Sequence, residues 1–260
     1  MADRSPHPPS FRSVILEEAG STNTEAFKRA LAGEAGPLWV MARRQTQGRG
    51  RSGRQWASDA GNLYASLLQR LACPQKVVHQ LSLLAGVAAV EAIAAAAGGP
   101  VAGLRLKWPN DVLIGEAKCA GILPESQMWR GGSEAVVVIG IGINLASHPT
   151  GLGRAVTHLA AHGVSLTPEA MLGFLADSIA RWLAAWDGGA GFPRVRAAWL
   201  GSAGAVGESL TVDTGRERIA GTFLGLDDSG ALLMRDAQGQ PRKLTFGDVT
   251  LAQAATKDRA

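Results

Sequence analysis

The sequence predicts an α+β fold with a small all-β unit behind it. Up to about residue 201, short β-branched runs alternate with longer segments rich in Ala and Leu, a mixture that layers helices on a sheet. After Gly201 the texture changes. Residues 206–251 break into short alternating segments separated by Asp213-Thr214-Gly215, Asp227-Asp228-Ser229-Gly230 and Gln238-Gly239-Gln240, the spacing of four or five strands in a small barrel. No repeat of fixed period runs through the chain.

Residues 14–17 are short and β-prone. Behind them, Gly20-Ser21-Thr22-Asn23-Thr24-Glu25 sets a hydroxyl residue three positions ahead of a Glu, a capping-box pattern that predicts a helix over about 23–32. Residues 37–42 are apolar enough for a strand, and 62–70 alternate as a second strand. The Ala- and Leu-rich stretch 76–97 predicts a long helix, ended by Gly98-Gly99-Pro100. Short strands follow over 104–108, 112–114 and 118–125, with Pro109-Asn110-Asp111 and Gly115-Glu116 as the turns. The β-branched run 135–145 reads as a fully buried central strand, and helices are expected over 168–186 and 193–200.

At 260 residues and 46% hydrophobic, the chain can bury a large core, and its formal net charge is only +4. The first thirteen residues carry three prolines and no apolar run, so a disordered lead-in is expected over 1–13, without a secretory signal. The longest apolar tract, 81–97, is interrupted by Ser82 and Glu91 and falls short of the roughly 20 residues of a membrane span, which makes it a buried helix. Cys73 and Cys119 lie far apart without metal-ligand spacing, and reduced thiols in a cytoplasmic protein are expected.

Five arginines and three glycines fall within residues 43–54, with no acid among them. Glycine lets backbone N–H groups approach a ligand, and guanidinium forks match carboxylate or phosphate oxygens, so this stretch predicts an anion-binding loop between two strands. Gly48-Arg49-Gly50-Arg51-Ser52-Gly53 satisfies G-x-G-x-x-G. It is followed by another loop-like stretch, Gln55 to Asn62, where a dinucleotide fingerprint would open a helix. No P-loop motif is present. By itself the loop is equally compatible with a solvated basic turn.

Three further clusters stand out. Lys107-Trp108-Pro109-Asn110-Asp111 gathers a cation, an aromatic, a rigid turn, an amide and a carboxylate, although Pro-Asn-Asp alone makes an ordinary turn. Lys118-Cys119-Ala120-Gly121-Ile122-Leu123 starts an apolar strand with a lysine, and most such lysines are exposed strand ends. Gly140-Ile141-Gly142-Ile143-Asn144 puts two glycines inside a buried strand, which weakens it unless something approaches its backbone closely.

Taken in this order with Ser21-Thr22-Asn23, these clusters resemble the signatures of biotin protein ligases over residues 21–144, with a weaker likeness in the C-terminal segment. The resemblance implies a catalytic domain over 14–202 of the class II synthetase-like type, a mixed sheet flanked by helices, and an SH3-like barrel over 203–254. It implies that biotin and ATP give biotinyl-AMP and pyrophosphate, and that biotin then passes to a lysine of a carboxyl carrier domain. Ser21, Thr22, Asn23, Gln45, Gly48, Arg49, Trp56, Gly121 and Gly140 would form the biotin site, with Gly142 beside them leaving room for the rings and acyl chain. Arg51, Arg54, Lys107, Asn110 and Asn144 would meet ATP, and Lys118 would bridge the biotin carboxylate and the α-phosphate.

Asp111 is the one carboxylate in these motifs, and holding Mg2+ or accepting a proton from the incoming lysine remain alternatives for it. The segment 146–154 is placed to cover the adenylate. Cys119 stands where an aliphatic residue is more usual, which suits a packing role. Fewer than two dozen residues precede Ser21, so no DNA-binding domain and no operator binding are expected; no membrane partner is expected, and a homodimer is left open. A lipoate or octanoate ligase of the same layout is the neighbouring alternative. A basic nucleic-acid module is the distant one, with one tyrosine and six phenylalanines for stacking. Removing residues 205–260 is expected to leave a folded, weakly active protein.

Overall fold

The computed structural model describes residues 11–128 and 134–251. The lead-in expected over 1–13 and the last residues of the expected barrel therefore lie partly outside the described residues. Twelve strands and four α-helices follow one another as β1 (Ser13–Ala19), α1 (Thr22–Leu31), β2 (Leu38–Gln45), β3 (Leu63–Leu71), α2 (Gln80–Ala97), β4 (Leu104–Lys107), β5 (Asp111–Ile114), β6 (Ala117–Met128), β7 (Ala135–Ile143), α3 (Pro168–Trp186), α4 (Phe192–Gly201), β8 (Ser209–Asp213), β9 (Arg218–Leu226), β10 (Leu232–Asp236), β11 (Pro241–Leu244) and β12 (Asp248–Leu251). The first seven strands form one sheet in the order β1-β2-β3-β7-β6-β5-β4. Only β1 and β2 run parallel, which makes the sheet mixed.

Alternation along the strands sorts side chains to two faces. On β7, Val137, Ile139 and Ile141 join the large core under α2, α3 and α4, while Val136 and Val138 pack under α1 with Ala26, Ala30, Leu38, Val40 and Leu68. The helix α2 is the long apolar tract, with Leu81, Leu84, Ala85 and Ile93 fully buried in that core. It ends where Gly98 takes a left-handed φ of 75° and Gly98 and Gly99 donate to Ala95 and Ala94. It begins at Gln80, four residues later than the sequence suggests, because 75–77 wind as a 3-10 turn.

The expected capping box is absent. Ser21, not Thr22, is the N-cap of α1, so Glu25 sits one residue too far along to close the box; it pairs with Lys28. The Ser21 hydroxyl makes no cap hydrogen bond.

The last five strands form an antiparallel sheet in the order β11-β10-β9-β8-β12. It is not a closed barrel: no ladder joins β11 to β12 among the described strands. The free edge at β12 meets the catalytic sheet instead, where the Val249 carbonyl accepts from Lys107 Nζ at 2.9 Å and the Gly247 carbonyl from Arg51 at 3.2 Å.

One apolar core runs through both sheets. Phe223, Leu226, Leu232 and Val249 belong to the same cluster as Leu106, Trp108, Phe192 and Trp199. The Trp108 indole donates to the Gly230 carbonyl at 3.1 Å, and Arg196 caps the carbonyls of Leu226 and Asp227. A chain lacking residues 205–260 would expose this shared core, which argues against the sequence expectation of a folded, weakly active remainder. Such a truncation should lose its cooperative urea transition and bind a hydrophobic dye; a sharp transition near that of the full chain would contradict the shared core.

Candidate active site

The site lies on the α1 face of the large sheet, where α1 stops covering it. Two cross-strand rows build its floor. In one, Val40, Ser66, Gly140 and Leu123 stand side by side; in the next, Tyr64, Gly142, Gly121, Asp111 and Lys107 do so across β3, β7, β6, β5 and β4. The second row therefore carries glycines at its centre and charge at its far end.

Both glycine gaps are filled from above by protein. A Cβ on Gly142 would stand 2.7 Å from the Trp56 ring and one on Gly121 2.8 Å from it, while a Cβ on Gly140 would collide with the Asn23 amide. The glycines thus make room for Trp56 and Asn23, where the sequence reading placed the ligand itself. Trp56 Nε1 is buried against Gly142 with no hydrogen-bond partner among the described residues.

Lys118 reaches this face because of a bulge. Ala120 pairs with Val112 but Lys118 with Leu113, so Cys119 is the extra residue and the alternation slips by one. Cys119 turns into the core, fully buried, and burial pushes its thiol up to about 12, which makes it a packing residue. Lys118 Nζ makes a close ion pair with Asp111 Oδ1, stands 5.2 Å from the centroid of the Trp56 ring, and shares the carboxylate with Lys107, 2.9 Å from Oδ2. Burial works against the Asp111 charge, yet the two ammonium groups prevail and hold the carboxyl below its usual range. Burial lowers the pKa of Lys118, and Asp111 opposes that shift.

At the other end of the cleft amides and hydroxyls predominate, beside the Arg49–Glu125 ion pair. Gln45 Oε1 accepts from the Thr22 amide at 2.8 Å and its Nε2 donates to Ser58 at 3.0 Å. Asn23 Nδ2 donates to Glu125 at 2.6 Å and to the Leu123 carbonyl. Beneath them the fully buried hydroxyl of Ser66 lies 2.6 Å from Asn23 Oδ1 and 2.8 Å from Thr22 Oγ1. Gly48 packs tightly against Ser58 and the Trp56 carbonyl, which leaves no space there for a side chain.

The arginines divide into two groups. Arg43 and Arg44 end β2 and pair with Glu17, Glu169 and Glu18, outside the cleft. Arg49, Arg51 and Arg54 line it: Arg49 binds Thr24 and Glu125, while Arg51 and Arg54 both reach Asp248 of β12, Arg54 at 2.7 Å. Guanidinium repulsion in the loop is thus offset by carboxylates far away in sequence.

Two residues expected to meet ATP make hydrogen bonds within the protein, one outside the cleft and one lining it. Asn144 lies outside the cleft lining and donates to the Thr157 carbonyl at 2.9 Å, fixing the return of the 146–157 segment. Asn110 donates to the Ile122 carbonyl at 2.7 Å, and its Oδ1 faces Arg51. Neither oxygen of Asp111 is free, and the described residues contain no group of three His, Cys, Asp or Glu side chains placed to hold a metal. The residues do not form a Mg2+ cage.

Together these groups enclose a cleft of about 430 Å3, with six lining cations, Arg49, Arg51, Arg54, Lys107, Lys118 and Arg154, against three carboxylates. A cleft with a neutral amide-and-hydroxyl end and a strongly cationic end is suited to two ligands, one uncharged at its head and one an anion. Sequence reasoning missed Ser66, Glu125, Asp248 and Arg154. Ser66 left a trace, a lone serine in the apolar run of β3; the others are ordinary charges until the fold brings them here.

Residues 18–144 match the Biotin/lipoate A/B protein ligase family and residues 206–251 the Biotin protein ligase C terminal domain. A Biotin--[acetyl-CoA-carboxylase] ligase of Paracoccus denitrificans is 42% identical over 232 residues, covering 87% of this chain and 95% of that protein. Among solved structures, the biotin protein ligase from Aquifex aeolicus in complex with biotin and ATP superimposes with a TM-score of 0.75 at 27% identity, over 94% of this chain and 99% of that one. The Leishmania major biotin protein ligase in complex with biotinyl-5-AMP gives 0.64 at 26% identity, over 92% and 100%. The chain belongs to the biotin protein ligases of the biotin/lipoate A/B protein ligase family.

The Ser66→Ala variant should leave Asn23 Oδ1 without its buried partner, costing about 1–2 kcal/mol of stability in urea. Biotin binding measured by calorimetry should weaken with it. Unchanged affinity would show that Ser66 does not set the Thr22 and Asn23 geometry.

Proposed function

We propose that the chain joins biotin to ATP, releasing pyrophosphate, and then passes the biotinyl group from biotinyl-AMP to a lysine of a carboxyl carrier domain. The observation that carries this reading is the Lys107–Asp111–Lys118 group, with Asp111 and Lys118 buried and Lys107 half-buried, standing one ladder row from the neutral Thr22–Gln45–Asn23–Ser66 set. An uncharged ureido ring suits the neutral end, and its carboxylate would then point toward Lys118. Lipoate and octanoate offer no groups to match Ser21, Thr22 and Gln45, which favours biotin.

The first step brings two anions together. A biotin carboxylate oxygen attacks the α-phosphorus, the bond from that phosphorus to the bridging oxygen breaks, and pyrophosphate leaves with the electron pair. Charge accumulates on the phosphate oxygens as this happens, so cations fixed in a low-dielectric cleft stabilise the transition state more than the ground state. Lys118 is assigned the carboxylate and α-phosphate, and Arg51 and Arg54 the outer phosphates, which would displace Asp248 from them. No described group of carboxylates is placed to hold Mg2+, so an ion arriving with ATP would supply charge neutralisation without a protein cage.

In the second step the carrier lysine amine attacks the acyl carbon and AMP leaves with the bonding pair. An Asp111 held below the ordinary carboxylate range is a weak base, so the surplus proton of the amine is assigned to solvent, and Asp111 keeps Lys118 charged and in place. The two unpaired, buried cysteines suit a reducing compartment such as the cytoplasm.

Biotin-dependent exchange of labelled pyrophosphate into ATP tests the first step, with lipoate and octanoate as competing acids. Exchange is expected with biotin alone, and a greater rate with either other acid would transfer the reading to that acid. Lys118→Ala should lower the exchange rate by about 100-fold or more with biotin affinity kept within a few-fold. Equal losses in rate and affinity would remove Lys118 from the carboxylate.

A further inference from the structure

Glu125 is not part of the cleft lining, yet it joins three elements that meet at the amide-and-hydroxyl end. It lies on β6 four residues beyond Gly121 and on the same face of the sheet by strand alternation, past the point where β5 stops pairing with β6. Its Oε2 accepts from Asn23 Nδ2 at 2.6 Å, in the first turn of α1, and from Arg49 of the arginine loop at 3.1 Å. Arg49 also donates to Thr24 Oγ1 at 2.8 Å. One carboxylate thus ties the loop to both the helix and the sheet.

The base of the loop is held by backbone: Thr46 N–H donates to the Ala19 carbonyl at 3.0 Å and Gln47 N–H to the Gly20 carbonyl at 2.8 Å. Further out the loop folds back on itself, with Gly50 N–H donating to the Arg54 carbonyl at 2.7 Å and Trp56 N–H to the Gly48 carbonyl at 2.9 Å. This hairpin carries Trp56, whose ring covers Gly121 and Gly142, so whatever fixes the hairpin also fixes a wall of the cleft. Ion pairs tether it on two sides, Arg51 and Arg54 on Asp248, and Arg49 on Glu125. The two carboxylates differ in what a ligand does to them. A triphosphate competes with Asp248 for its arginines, whereas an uncharged ureido ring does not compete with Glu125 for Arg49, and that tie persists with biotin in place.

Resting on the biotin reading above, we propose that Glu125 is a positioning residue for biotin, a latch that holds the arginine loop closed over the ring through Arg49 and Asn23. Both partners of the ion pair are about a third exposed, and such a pair adds little to the stability of the fold. It biases a loop between closed and open, however, and affinity for the ligand falls in proportion to the closed fraction. Its effect is therefore on the capture and release of biotin. The reacting atoms lie at the Lys118 end, which Glu125 does not touch, and the rate of adenylate formation from seated biotin is set there.

The test measures biotin affinity by calorimetry and pyrophosphate exchange in the full chain and in Glu125→Ala, Glu125→Gln, Arg49→Ala and the Glu125→Gln/Arg49→Ala double variant. Biotin binding by the wild type comes first; its absence would overturn the functional reading and the latch with it. Given wild-type binding, Glu125→Ala should weaken biotin affinity by about 10-fold and raise the KM for biotin to match, while kcat falls far less. Glu125→Gln keeps an acceptor for Asn23 and loses the charge that holds Arg49, so its loss should be smaller, and it carries the test if Glu125→Ala melts well below the wild type. In the double variant the affinity should equal that of Arg49→Ala, because the Gln substitution has no ion pair left to remove. Wild-type affinity in Glu125→Ala, additive losses in the double variant, or a fall in kcat as large as the fall in affinity would overturn the latch and leave the biotin reading standing.

Discussion

A carboxylate clamped between two ammonium groups in a buried corner is the constraint on which the rest of this structure turns. Asp111 can remain ionised there because Lys107 and Lys118 offset the loss of water, and the charge of the buried Lys118 depends on the same carboxylate. Removing Asp111 leaves the buried charge of Lys118 unpaired, whereas removing either lysine leaves the carboxylate paired with the other. Their unit carries one net positive charge, which is what an approaching carboxylate and phosphate require. The tight turn between β4 and β5 places Lys107 opposite Asp111, and the bulge at Cys119 brings Lys118 to the same face.

The second constraint is steric. Where α1 ends, the sheet presents Gly140, Gly142 and Gly121 in place of valines, and the thinning of the sheet surface admits Asn23 and the Trp56 ring. Trp56 then lies between the neutral groups around Gln45 and the ammonium of Lys118, which stands over its ring. The site is polar along one axis for that reason. The smaller sheet completes the cationic end from outside: Asp248 holds two arginines, and the backbone edge of β12 holds Lys107 and Arg51, so the arginine loop bridges both sheets.

Much of this was legible in the chain itself. The long helices and the central strand announce themselves by period and by β-branched content, and the glycine pairs in β7 mark a close approach. The motifs identify the family. What the chain conceals is direction and pairing. Alternation alone would send Lys118 to the wrong face, because a one-residue bulge leaves no mark in composition. Arg43 and Arg44 look like part of the anion loop until β2 is seen to run on through them to Gln45. Asp248 is some two hundred positions from the arginines it neutralises, and the five C-terminal strands suggest closure although β12 spends its edge on the catalytic sheet. Asn144, read as a nucleotide contact, instead ties down the segment that carries Arg154.

The dependence of Lys118 on Asp111 is tested most directly by the pH profile of pyrophosphate exchange in the wild type and in Asp111→Asn. Burial lowers the pKa of Lys118 and Asp111 raises it, so removing the carboxylate lets the ammonium lose its proton at lower pH. The alkaline limb of the rate should therefore move to lower pH in Asp111→Asn, with part of the lost activity returning as the solution is acidified. An alkaline limb at the wild-type position, with a uniformly lowered rate, would contradict the claim that Asp111 acts by holding the charge on Lys118.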